Sequence, residues 1–119
     1  MVKKIKQTNW DRQEFISFLI KKKNYKLRVA QDYATRCSSL EKNMSVNLIL
    51  ETSNSKSFIK IMQAVKIMCK KRYISRGITS VYANQGVARA AIRKLAQFAH
   101  GDRIVLKYPS IIYDENIKK

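Results

Sequence analysis

The chain has 119 residues, 45% of them hydrophobic, which is enough for one domain with a real core and excludes wholesale disorder. One Pro and three Gly leave little material for a turn-rich β architecture and favour long helices. Lys and Arg total 25 against 8 Asp and Glu, a net charge of +17, where solubility alone asks for a magnitude of about 2–8.

The first helix is expected from a cap at Asn9, with Trp10 and Asp11 in its first turn and Phe15, Phe18 and Leu19 as its apolar stripe. It ends in Lys21-Lys22-Lys23-Asn24, where lysines suit the negative end of the helix dipole. The second covers about Lys26 to Asn43. Ala30, Tyr33, Ala34, Cys37, Leu40 and Met44 form one face, and Arg28, Gln31, Thr35 and Lys42 the other.

Ser45 is read as the cap of a short helical turn, Val46 to Leu50, which closes in the polar stretch from Thr52 to Ser55. The third helix spans about Ser55 to Arg72. Phe58, Ile61, Met62, Val65, Met68 and Cys69 face inward, and Lys56, Lys60, Lys66, Lys70 and Lys71 lie elsewhere around it. Residues 56–76 carry seven basic groups and no acidic one.

Arg76-Gly77 marks a break, and Thr79 or Ser80 is the expected cap of a fourth helix that stops at Gly101. Val87, Ala88, Ala91, Ile92, Leu95 and Phe98 are assigned to its core side. Tyr82, Gln85, Gly86, Arg89 and Arg93 are assigned to its outer side. After Gly101, Ile104-Val105-Leu106 and Ile111-Ile112-Tyr113 flank Pro109 and read as two short strands or extended segments. The expectation is thus an all-α, four-helix domain over residues 1–101, followed by a short extended or β-ribbon C-terminal extension over 102–119.

Enzymatic constellations are hard to find. His100 is the only histidine, at an expected helix end where a capping role is natural. With one His and two isolated thiols, Cys37 and Cys69, a four-ligand zinc site of Cys and His is impossible. Both thiols read as buried, reduced small hydrophobes. The carboxylates are scattered, and no Gly-rich phosphate loop is present. The expectation is a protein that is not an enzyme and takes no cofactor, metal or small-molecule substrate.

The charge asks for a polyanion. Nucleic acid is the first reading, ahead of an acidic protein or a membrane surface. The outer faces of the second and fourth helices mix Arg with amides and hydroxyls, groups that read base edges and hold phosphates. No apolar run approaches the ~20 residues that span a bilayer, and the start, MVKKIKQTNWDRQ, lacks the apolar stretch of a signal peptide. The expected location is the cytoplasm, in association with the nucleoid.

The run Phe15-Ile16-Ser17-Phe18-Leu19, then Tyr25-Lys26-Leu27-Arg28-Val29-Ala30-Gln31-Asp32-Tyr33-Ala34-Thr35-Arg36-Cys37, resembles the first two helices of the core-binding domain of tyrosine recombinases, the phage-type integrases. Ser80 to Phe98, with Ala91-Ile92-Arg93-Lys94-Leu95 at its centre, resembles the fourth helix of that domain. The resemblance covers roughly residues 10–101. It implies a four-helix, SAM-like bundle that clamps one side of a DNA duplex with its second and fourth helices in the major groove. The two Arg, the His-rich motif and the Tyr nucleophile of recombinase catalysis have no counterpart, so it implies a DNA-binding module, from a mobile element or an accessory regulator, without recombination activity.

On this reading Arg28, Gln31, Thr35, Arg36, Tyr82, Gln85, Arg89 and Arg93 contact double-stranded DNA. Lys21, Lys22, Lys23, Lys26, Lys66, Lys70 and Lys71 hold or attract the phosphate backbone. The competing reading is a small phage or mobile-element protein that binds and inhibits a nucleic-acid-processing protein, with an apolar patch beside the charge.

Overall fold

The structure is a computed structural model and describes residues 10–101. Among these residues it is all-helical: α1 Arg12–Lys23, α2 Leu27–Met44, α3 Leu48–Glu51, α4 Ser55–Tyr73, a 3-10 turn Ile74–Arg76, and α5 Ile78–His100. The extended or β-ribbon extension expected over 102–119 and the cap expected at Asn9 lie outside the described residues.

Local chemistry sets the helix starts. Asp11, not Asn9, caps α1, accepting a hydrogen bond from the Glu14 N–H at 3.1 Å. Trp10 precedes the cap and packs edge-on against Phe15, centroids 5.4 Å apart, which staples the entering chain to the first full turn. Asn47 caps α3 and Asn54 caps α4 in the same way as Asp11. Ser45 is instead the left-handed residue that ends α2. Gly77, at φ +102°, turns the chain directly into α5, so neither Thr79 nor Ser80 is its cap.

α5 is the central rod, in contact with α1, α2, α3, α4 and the 3-10 turn. Ala30, Ala34 and Cys37 on α2 and Ala88 and Ala91 on α5 are all buried in one core where the two helices are in contact, and small residues on both sides let helices approach closely. The Cys37 thiol donates to the Ala91 carbonyl at 3.3 Å. Phe15, Phe18 and Phe98 close one end of the core in a chain of ring contacts 5.3–5.4 Å apart. No helix among the described residues is long and apolar enough to cross a membrane.

Two polar groups tie the ends together. Glu41 is buried on α2; its carboxyl accepts from the Trp10 indole N–H at 3.2 Å and the Leu48 N–H at 2.9 Å. His100 is half-buried, and its Nε2 lies 2.9 Å from the Ile49 carbonyl and 3.1 Å from the Thr52 hydroxyl. It fastens the end of α5 to α3, a tie between helices and not the surface cap expected. Cys37 and Cys69 are free and buried.

Candidate nucleic-acid interface

The expected outer side of α5 is divided by the fold. Tyr82 and Gly86 are exposed, but Gln85 and Arg89 are only 5% and 4% exposed. Arg89 donates through Nε and Nη2 to the Met62 carbonyl of α4, at 3.3 and 3.0 Å. Arg93 is half-buried and its Nε has no acceptor. Burial first, and the Arg89 charge second, lower its pKa, though a guanidinium remains a cation at neutral pH. The physical reason is coverage. A helix flanked by four others keeps only a narrow free strip, and on α5 that strip runs through Thr79, Tyr82, Ala83, Gly86 and Val87. Gln85 and Arg89 are therefore corrected from DNA contacts to interior residues, and Arg93 sits at the edge.

On α2 the expectation and the structure agree in exposure: Arg28, Gln31, Thr35 and Arg36 all face solvent. Thr35 accepts a hydrogen bond from Arg12 of α1 at 3.1 Å, which brings in a guanidinium that helix-by-helix reading missed. Lys21, Lys22 and Lys26 are exposed around the α1–α2 corner, while Lys23 is half-buried with its ammonium 5.9 Å from the Phe18 ring centre.

α2 and α5 run antiparallel with a groove of about 360 Å³ between them, lined by Val29, Asp32, Tyr33 and Arg36 on one side and Gly86, Val87 and Ala90 on the other. At one end Tyr25 stacks on Tyr33 at 5.4 Å, with the Lys94 ammonium 5.6 Å over the Tyr25 ring. Burial alone raises the Tyr25 phenol. Hydrogen bonding to Lys94 and Tyr33 and the charges of Lys94 and Lys23 outweigh it, so its pKa falls below the ordinary value.

A second cavity, of about 180 Å³, shares Arg36 with the groove and lies where α2, α4 and α5 meet. Arg36, Ser39 and Asn43 come from α2, Cys69, Arg72 and Tyr73 from α4, and Asn84 from α5. Burial pushes the Cys69 thiol up, while the charges of Arg89, Arg36 and Arg72 draw it the other way. Two guanidinium groups, Arg36 and Arg72, thus line the cavity, and among the described residues no carboxylate lines it. Arg72 and Asn84 were not among the expected contact residues, because only the packing of α4 and α5 beside α2 puts them next to Arg36.

Lys66 and Lys70 line a different cavity, of about 220 Å³, with Tyr82 and Gln85. At 100° per residue they point to the opposite flank of α4 from Met68 and Arg72. The structure therefore does not bring Lys66 and Lys70 onto the α2–α5 groove with Arg36. Lys71 is exposed at the end of α4.

Comparison with protein families, curated proteins and solved structures finds no match for this chain. Among the described residues no three His, Cys, Asp or Glu side chains are grouped to hold a metal. What the surface offers is cations, amides, hydroxyls and a shallow apolar strip.

Proposed function

We propose that this domain binds double-stranded DNA, with the α2–α5 groove against the duplex and its cationic ends on the phosphate backbone. One observation carries the reading. The three long helices hold two carboxylates between them, Asp32 and Glu41, and Glu41 is buried in the Trp10–Leu48 tie. A merely solvated helix surface intersperses Glu with Lys and Arg for i,i+4 support; this one does not.

Within that reading Arg28, Gln31, Thr35 and Arg36 read or grip the duplex from α2. Tyr82 and Gly86 form the close-approach strip of α5. Lys26 and Lys94 hold phosphates at one end and Arg36 and Arg72 at the other. Lys66 and Lys70, on the far flank, contribute long-range attraction without a specific contact. The resemblance to a recombinase core-binding domain supports the pairing of α2 with α5 as the docking elements.

The test is duplex binding across a salt series. A surface neutralising several phosphates loses affinity steeply, with log K falling linearly against log salt at a slope of roughly −0.9 per phosphate. A flat salt response, or unchanged binding in the Arg28→Ala/Arg36→Ala double variant, defeats the proposal.

A second reading has its own observation. Leu27, Val29, Ile78, Tyr82 and Val87 are 41–57% exposed, an apolar content suited to a protein partner such as a nucleic-acid-processing enzyme. Salt-insensitive association with such a protein after nuclease treatment would favour it.

A further inference from the structure

We propose that the cavity between α2, α4 and α5 is a seat for a phosphomonoester, supplied by the terminal phosphate of a nucleic-acid strand. The strand end as source rests on the DNA-binding reading above; the phosphate chemistry rests on the cavity alone.

Arg36 and Arg72 line the cavity from two different helices, and both side chains are exposed. Among the described residues neither makes an ion pair, and no described carboxylate lines the cavity to neutralise them. A phosphomonoester carries a charge of about −1.5 to −2 at neutral pH, with three strong acceptor oxygens. A phosphodiester carries a single negative charge. Two guanidinium groups without an ion-pair partner among the described residues match the monoester. The neutral lining fits as well: Ser39, Asn43, Asn84 and Tyr73 all carry groups that donate to oxygen. The Asn84 amide is already fixed by the Ser80 carbonyl at 2.8 Å.

Shape selects the end of a strand. The cavity is a recess at the junction of three helices, with room for a group several times larger than one water. An internal phosphate of a duplex is tethered on both sides to a stiff backbone and stays on the rim. A terminal phosphate is tethered on one side and can enter. Cys69, buried, lines the recess beside them, and charges facing a recess are screened by water less than charges on an open surface.

The experiment compares one duplex sequence with 5′-phosphate, 3′-phosphate or hydroxyl ends, and a sealed dumbbell without ends, by fluorescence anisotropy. One phosphorylated form should bind about tenfold or more tightly than the hydroxyl form, as expected of one added charge-assisted contact. The preference should vanish in Arg36→Gln and in Arg72→Gln and persist in the Lys66→Gln/Lys70→Gln variant. All of these sites are exposed or half-exposed, and thermal melts confirm that the fold is kept.

Equal affinity for phosphorylated, hydroxyl and sealed DNA overturns the phosphate seat and leaves duplex binding standing. If no duplex binds, but a nucleoside 5′-monophosphate shifts the Asn43 and Asn84 side-chain amide resonances, the seat stands and the DNA reading falls. Tighter binding of a phosphoserine peptide than of any DNA end overturns the strand end as the source.

Discussion

The Arg89 guanidinium grips the carbonyl of Met62 through two donors, at 3.3 and 3.0 Å, and so bolts α5 to the middle of α4. The charge is buried, and its long stem packs where a smaller residue leaves a gap. Arg89→Ala is therefore expected to cost about 2–3 kcal/mol of stability, the scale of a lost charged hydrogen bond. Arg36→Ala and Arg72→Ala, both at exposed positions, should stay within about 0.5 kcal/mol of the parent. Urea unfolding measures the first difference. DNA affinity at equal folded fraction measures the second, which should run the other way: weakened by Arg36→Ala and Arg72→Ala, unmoved by Arg89→Ala.

The helices themselves were legible in the sequence, because apolar spacing over 12–23 residues is a strong signal. Their starts were less so, since Asp11, Asn47 and Gly77 stand where Asn9, Ser45 and Thr79 or Ser80 were expected. The Ala30–Ala34–Cys37 face of α2 is buried as the spacing indicates. What the sequence did not disclose is how many neighbours each helix has. With five contacting elements, α5 buries polar Gln85 and Arg89 beside Ala88 and Ile92, whereas a helix on a surface shows them to water. Periodicity gives the direction of a face but not its width. The Arg36–Arg72–Asn84 grouping was hidden for a related reason: it joins three helices, with Arg36 36 residues from Arg72 and 48 from Asn84 in sequence.

Gly86 separates stability from docking. It lies in the interior of α5, exposed, and a Cβ added there meets nothing within 4 Å. Gly in an exposed helix interior costs about 0.8–1 kcal/mol relative to Ala, so Gly86→Ala should stabilise the fold by that amount in thermal or urea unfolding. If the strip approaches DNA closely, as proposed, a larger side chain there obstructs it. Gly86→Leu should then weaken duplex binding several-fold while keeping a melting temperature at or above the parent's. Unchanged affinity in Gly86→Leu would take α5 out of the interface.

Glu41 makes stability depend on pH in an unusual direction. Burial raises its pKa above the ordinary value, only partly offset by the N–H groups of Leu48 and Trp10. The folded chain then holds this proton more tightly than the unfolded chain. Stability from this group is greatest below its ordinary value near 4.5 and falls as pH rises through the raised native value. Glu41→Gln should flatten the slope in that window. Trp10, the only tryptophan, sits 3.2 Å from the carboxyl and reports the transition by fluorescence. An identical slope in parent and Glu41→Gln would assign the effect to another group.

Asp32 is the one exposed carboxylate on the three long helices, and it lines the groove one turn before Arg36. If duplex phosphates lie along this groove, Asp32 repels them, and removing its charge should help. Asp32→Asn is expected to raise duplex affinity several-fold with little change in salt slope, because no phosphate contact is added. Asp32→Lys should raise affinity further and steepen the slope by about 0.9, the signature of one more neutralised phosphate. Glu51→Gln is the control, since Glu51 lies on α3 and does not line the groove. Equal gains from Asp32→Asn and Glu51→Gln would mean that only net charge matters and that DNA does not lie in the α2–α5 groove. A gain confined to Asp32, with the slope steepened only by lysine, ties the phosphates to that side of the molecule.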